Sequence, residues 1–344
     1  MIGTSGKWIE ETPPPGAPEL VSRLSLLSGI RSHFSMFSLR QKIEPYLWLA
    51  PSILLLVVFL YFPAVDGMRA AFYEWNGGAV RRFVGWENFI RAAQDATLWK
   101  SFLLVGILVA ANVVRMIPSI LTAVAIHRLK SVGASYLYRI AFVIPMIIPE
   151  MVWLLIWKYF FDPNLGVLNA VLRATGGLSL LAAMDRSFGW GGLFVEGADP
   201  AWLSHSALIV PSLIIWGFPW IGVVGVLIYL AGLNNIDSSL YEAARVDGAG
   251  PVAQFFKIEI PLIATQIRLN FILMIVGTLQ AYGLVLVLLG DAGGPGGAGM
   301  MPGLYMFRKA FVDREAGYAC ALGIILFILI LGVTSLSNRW KVEK

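Results

Sequence analysis

The chain has 344 residues, 58% of them hydrophobic and only 14% charged, and a mean hydropathy of +0.73. That balance excludes a water-soluble domain. The net charge of +5 comes from scattered basic residues that mostly flank apolar runs, which marks the ends of membrane helices and argues against a nucleic-acid surface.

Met1–Lys42 is rich in Pro, Ser and Gly, contains Pro13-Pro14-Pro15, and shows no sustained periodicity, so it reads as a disordered tail. Leu24–Ile30 is too short and too broken by serine for a signal-peptide core, and the first membrane helix is expected to stay uncleaved. That helix is Tyr46–Pro63, preceded by Arg40 and Lys42, close to the ~20 residues needed to span. Its aromatic ends, Tyr46, Trp48, Tyr61 and Phe62, suit the interface. Ala64–Trp99 is too mixed to span. A second span, Phe102–Ile126, closes at His127-Arg128-Leu129-Lys130. The third, Tyr138–Phe161, holds Pro145 and Pro149, whose freed carbonyls demand a neighbour or a kink. Asp162-Pro163-Asn164-Leu165-Gly166 opens a long stretch to about Ala201 with a Gly/Trp-rich portion, Gly189–Gly197. The fourth span is about Leu208–Ala231 and the fifth about Ala264–Leu289. Gly293–Gly299 makes a flexible connection to the sixth, about Tyr318–Ser337, which ends at Arg339 and Lys341.

Six spans put both termini on one side. Lys and Arg are enriched in His127–Arg139 and in the C-terminal tail, which makes that side the inner one. Arg69, Arg81, Arg82, Arg308 and Arg314 fall on the other side, in longer loops that escape the rule more often.

Between the fourth and fifth spans lies a polar interlude, Ser238–Pro261, that reads as two short helices with a corner between them. Ser239 and Glu242 have capping-box spacing, which starts the first helix at about Leu240. Asp247-Gly248 supplies the positive φ at which that helix stops. Pro251 suits the first position of a second helix carrying Val252, Phe255, Phe256 and Ile258, which Pro261 is expected to end.

Glu242-Ala243-Ala244, Asp247-Gly248-Ala249, Phe255, Ile258 and Pro261 resemble the cytoplasmic coupling loop, the "EAA" motif, of permease subunits in binding-protein-dependent ABC importers. The flanking spans, the glycine run Gly290–Gly299 and the stretch Leu304–Cys320 are similar to the sugar-uptake branch, of the maltose and glycerol-3-phosphate permease type. The resemblance covers roughly Glu44–Trp340. It implies an all-α membrane protein with six transmembrane helices and alternating access, in a bacterial or archaeal plasma membrane with both termini cytoplasmic. It further implies ABC ATPase subunits docked on the coupling loop, a second homologous permease and an extracytoplasmic solute-binding protein. ATP and magnesium would sit on the partner subunits, and the solute would be a carbohydrate, a polyol or a glycerol phosphate. It also makes Ala64–Trp99 the first external loop, with a short helix around Trp86–Ala93. The stretch Asp162–Ser204 is longer than the resemblance leads one to expect.

The chain itself offers no catalytic apparatus. Gly293–Gly299 has no following lysine, so it is not a P-loop. His33, His127 and His205 are isolated, without ligand spacing, and Ser204-His205-Ser206 reads as a helix cap. Cys320 is the single cysteine, with no partner for a disulfide, and reads as a small packing residue. A second functional reading is an ion-coupled secondary transporter, which calls for internal repeats and a cluster of intramembrane carboxylates. The sequence shows no repeat and one such carboxylate.

Polar residues inside spans carry the remaining information, because a charge there costs about 2.5–3.5 kcal/mol on insertion scales unless paired or wet. Arg115, Asn112, Glu150 and Gln280 are candidates for the translocation path, while Arg268 lies near enough to the coupling loop to snorkel. Asn112 precedes Arg115 on the same helical face, and Glu150 is a candidate partner for that cation. Two readings stay open: a packing pair, or a polar face lining the path. Trp153, Trp157, Trp216 and Trp220 read as lipid or interface anchors.

Overall fold

The computed structural model describes residues 39–129 and 131–339, so most of the expected tail, 1–38, lies outside the described residues. Helix α1, Leu39–Leu56, continues through a π-turn, Val57–Tyr61, into α2, Phe62–Ala70. Glu44–Ala70 is long and apolar enough to cross a membrane, and none of its most apolar window is buried. Pro63 therefore does not end this helix as expected. The preceding turn is widened, with the Phe62 amide donating to the Val57 carbonyl, and the extra residue makes room for a ring that would clash in a regular turn.

From Gly67 onward the first feature is a hairpin in which β1, Tyr73–Trp75, pairs antiparallel with β2, Arg81–Phe83. Helix α3, Glu87–Gln94, follows, close to the expected short helix. The structural axis is α4, Ala96–His127, a single unbroken helix despite Pro118. Asp95 caps it, accepting from the amides of Thr97 at 2.9 Å and Leu98 at 3.3 Å.

The third span is two helices, α5 Val132–Val143 and α6 Glu150–Phe160, bent by 88° across the prolines that predicted a kink. The long stretch after it holds α7, Val167–Ala174, and α8, Gly177–Phe188. The fourth span is not continuous as expected. It divides into α9, Ser206–Ile215, and α10, Val223–Leu233, because Gly217 at φ +78°, Pro219 and Trp220 at φ +59° cannot continue a helix. The cap of α9 is His205, whose ring nitrogen accepts from Ala207.

The polar interlude comprises α11, Ser238–Val246, α12, Pro251–Gln254, and α13, Ile260–Leu262. The fifth span also breaks, into α14, Ala264–Gln280, and α15, Gly283–Leu289. Opposite that break, at the start of α16, Pro302–Phe311, a Cβ on Gly303 would lie 3.0 Å from the Gln280 carbonyl, so the two backbones meet where only glycine fits. The chain closes with α17, Ala316–Arg339, whose Ala316–Ser337 portion is a candidate span, as is α4.

Two apolar clusters stack along α4. Leu98, Leu104 and Leu108 pack with Ile209, Leu213, Val285, Leu304 and Leu322 at one end. Ile120, Ala123 and Val124 pack with Val226, Leu230, Leu233 and Ile263 at the other. Trp157 is no anchor in lipid, since it is buried with Phe161, Trp202 and Leu208 in a third cluster. Between the clusters, Val113, Val114 and Ile117 leave an exposed apolar face, as a helix solvated by lipid does.

At the first end Tyr305 and Tyr318 donate to Asp95 Oδ2 at 2.5 and 2.7 Å, fixing α16 and α17 to the start of α4. Burial works against the Asp95 charge, but the two hydroxyls and the amides of Leu98 and Thr97 outweigh it and hold the carboxyl below its usual range. A depressed carboxyl contributes stability that is complete above its unfolded value of about 3.9 and lost as pH falls through the folded value. Asp95→Ala is thus expected to cost about 1–2 kcal/mol at neutral pH, chiefly through the lost cap. Melting curves in detergent should show the wild type losing part of its advantage over the variant on acidification below about pH 4.

Candidate functional site

Helix α11 begins two residues earlier than the capping box predicts. Asp237, not Ser239, is the cap: its carboxylate accepts from the Ser239 amide at 2.9 Å. That amide, with the Ser239 hydroxyl, holds the Asp237 carboxyl below its usual range. Asp237 stands immediately ahead of the helix, so its short side chain reaches the second amide without help, and Glu242 is released from the role assigned to it. The Glu242 side chain is exposed. The helix stops where expected, with Gly248 at φ +78° and the Ala249 amide donating to the Ala244 carbonyl at 2.8 Å.

Pro261 does not end the second limb. A π-turn, Phe255–Glu259, lets the Ile260 amide reach the Phe255 carbonyl, and Pro261 sits in the first turn of α13, where its missing N–H costs nothing. The limb ends at Ile263 instead, and α14 starts at the next residue after a bend of 66°. Phe255 and Ile260 pack on the second apolar cluster. The other side of the loop is open: Ala243, Asp247 and Pro261 are exposed beside Glu242, Ala244, Ala249 and Ile258 are half-buried, and Val246, Val252 and Phe256 are 88%, 70% and 64% exposed.

A residue that no motif or spacing marks secures this loop. Glu259 has no exposure at all, and Arg128, at the end of α4, grips it with Nε to Oε1 at 2.9 Å and a terminal nitrogen to Oε2 at 2.8 Å. The same terminal nitrogen donates to the Pro251 carbonyl at 2.8 Å, so Arg128 ties both ends of the second limb to α4. Tyr241 of α11 joins from the side: burial and the Glu259 charge push its phenol up to about 12, and its oxygen lies 3.4 Å from His127 Nε2.

The second site lies mid-bundle, where α4 passes from one apolar cluster to the other. Arg115 does not pair with Glu150. It donates to Asn112 Oδ1 at 2.7 Å and to the Trp216 carbonyl at 2.6 Å, and Glu150 is exposed at the start of α6, with no ion pair among the described residues. The acceptor is a carbonyl set free by the break after α9, which does for the guanidinium what a carboxylate was expected to do. Asn112 in turn donates to Thr278 Oγ1 of α14 at 3.1 Å. Ser119 accepts from the Gly222 amide at 2.9 Å and donates to the Trp220 carbonyl at 3.2 Å, closing the other side of the same break. The ring centroids of Trp216 and Trp220 lie 5.8 and 5.9 Å from the Arg115 guanidinium carbon.

Of the predicted path residues, the structure therefore joins Arg115 and Asn112, while no hydrogen bond or ion pair brings Glu150 or Gln280 to them. Trp216 and Trp220, read from the sequence as anchors, stand beside Arg115 instead, and nothing in the sequence singled out Thr278 or Ser119. Gly217 and Pro219, inside an otherwise apolar run, were the available signal for the break.

Residues 106–340, more than half of the chain and including both sites, match the family of binding-protein-dependent transport system inner membrane components. The chain belongs to that family. This permease is 25% identical over 305 residues to the probable ABC transporter permease protein YurN of Bacillus subtilis (strain 168), covering 88% of this chain and 97% of YurN. It is 28% identical to the diacetylchitobiose uptake system permease protein NgcF of Streptomyces coelicolor, covering 80% and 76% of the two chains. It is 29% identical to the sn-glycerol-3-phosphate transport system permease protein UgpA of Agrobacterium fabrum, covering 88% and 96%. Its fold matches a chain of a bacterial ABC transporter that imports the acidic polysaccharide alginate, with TM-score 0.66, 20% identity and coverage of 88% and 98%. The permease is thus a multi-pass membrane protein of an ABC transport system, and the ion-coupled reading is set aside.

Proposed function

We propose that this chain is the non-catalytic pore subunit of an ATP-driven importer, taking a carbohydrate, polyol or glycerol phosphate from an extracytoplasmic solute-binding protein. A second homologous permease completes the pore, and ABC ATPase subunits, carrying ATP and magnesium, dock on α11–α13. Both termini and the coupling loop face the cytoplasm of a bacterial or archaeal cell, with the hairpin β1–β2 outside.

The observation that carries this reading is the coupling loop. It presents Glu242 and an exposed apolar side, Val246, Val252 and Phe256, while its other side is bolted to α4 through Arg128 and Glu259. An exposed apolar patch rimmed by charge suits a protein partner, and a rigid backing is what transmits its movement. Closure of the ATPase pair would draw the loop inward and reorient the helices that continue from it.

Copurification and ATPase assay test the proposal. The tagged chain should bring down ATPase subunits whose hydrolysis rises severalfold when loaded binding protein is added, and its proteoliposomes should accumulate solute only with ATP. On a Cys320→Ser background, an impermeant thiol reagent on intact cells should label Val80→Cys and spare Val246→Cys. Uptake driven by an ion gradient without ATP, or the reverse labelling pattern, would contradict it.

A further inference from the structure

We infer that the polar centre around Arg115 is a binding site for solutes bearing a negative charge, a carboxylate or phosphate on a hydroxylated skeleton. The inference rests on the importer reading and names the solute class of that same pore.

Among the described residues the buried side-chain atoms without a partner are Arg115 Nε, Arg139 Nε, Trp216 Nε1, Asn270 Nδ2 and Gln266 Oε1. Four are donors and one is an acceptor, and the acceptor is packed against Gly232, where an added Cβ would meet the Gln266 side chain at 2.7 Å. Two of the donors, Arg115 Nε and Trp216 Nε1, share one neighbourhood, and Asn270, whose side chain also bonds Tyr229, adjoins it across Gly225. Arg115 bonds the Trp216 carbonyl, and Asn270 and Ser119 both flank Gly225, with Ser119 one turn beyond Arg115 on α4. Buried donors are normally satisfied, and a cluster left open is a place where something else binds. Here that something must be rich in acceptors.

Charge points the same way. Among the described residues the hydrogen-bond partners of the Arg115 guanidinium are neutral, an amide oxygen and a carbonyl, so no carboxylate offsets its charge inside the membrane. At 1.5 Å per residue Arg115 is about 18 Å from the His127 end of its helix, too deep for a lipid headgroup. Two indoles, Trp216 and Trp220, stand beside the guanidinium, the aromatic company that suits a sugar ring. The backbone of Trp220 is held at φ +59°, rare for so bulky a residue, which is the kind of strain that collects at ligand sites. A Cβ on Gly217 would sit 3.2 Å from the guanidinium, so glycine there keeps the approach open.

Binding to the detergent-solubilised complex, without binding protein, tests this with matched probes: glucuronate against glucose, galacturonate against galactose, and glycerol 3-phosphate against glycerol. At least one anionic probe should bind about tenfold or more tightly than its neutral counterpart, a difference of about 1.4 kcal/mol. Arg115→Gln should abolish that preference and Arg115→Lys should retain part of it, in complexes shown by copurification to be assembled. Equal binding within all three pairs would overturn the inference, as would a preference that survives Arg115→Gln, or failure of both variants to assemble. Stimulation of wild-type ATPase by binding protein, measured alongside, reports on the importer reading separately: stimulation without charge preference sinks only this inference.

Discussion

Arg128→Ala is expected to destabilise the coupling loop by about 3–5 kcal/mol, because it strands a carboxylate that has no exposure. The two partners are not equivalent. Arg128 keeps about a third of its side chain in solvent, so Glu259→Gln leaves a cation that can turn outward, and its cost should be clearly smaller. Replacing both, as Arg128→Met with Glu259→Leu, removes the stranded charge and should recover much of the single-mutant loss. Hydrogen exchange across 251–263, together with thermal melting, separates these cases. Equal protection in the wild type and Arg128→Ala would mean that the pair does not hold the limb.

Gly248→Val is expected to impair transport without harming insertion. A Cβ at this position would meet nothing within 4 Å, so crowding plays no part and the whole effect comes from φ +78°. A β-branched residue there costs about 1–3 kcal/mol of backbone strain, and α11 can relieve it only by tilting away from the second limb. Gly248→Asn is the informative control, since asparagine tolerates the left-handed region. Uptake in proteoliposomes should fall about tenfold or more in the valine variant, if the strain is released through the docking helix, and stay near normal with asparagine. Equal loss in both would point to a requirement for a bare backbone at the partner surface rather than for its conformation.

How much of this was legible beforehand varies with the kind of signal. Apolar runs marked where helices form and Asp247-Gly248 marked the corner, but the third, fourth and fifth runs each divide into two helices. The prolines misled. Pro63 and Pro261 read as helix ends because a regular turn cannot hold them, yet each follows a π-turn that can, and a turn widened by one residue leaves no mark on hydrophobic periodicity. Arg115 misled differently. A buried cation prompts a search for a carboxylate, whereas the structure answers it with the Trp216 carbonyl, an acceptor that every residue carries and that only a broken helix sets free. Glu259 escaped notice for a related reason: it lies in a loop that reads as solvated, and only the fold brings Arg128 across 131 residues of sequence to meet it.

The Arg128 clasp also decides where the bundle is able to flex. With Pro251 and Glu259 of the second limb fastened to the His127 end of α4, that limb and the adjoining part of α4 are tied into a single lever. The helical ladder is interrupted elsewhere, at 216–222 and at 281–282. A pull delivered at Glu242 would therefore be felt as rotation about those interruptions, and the fulcrum would be the guanidinium and the indoles beside it.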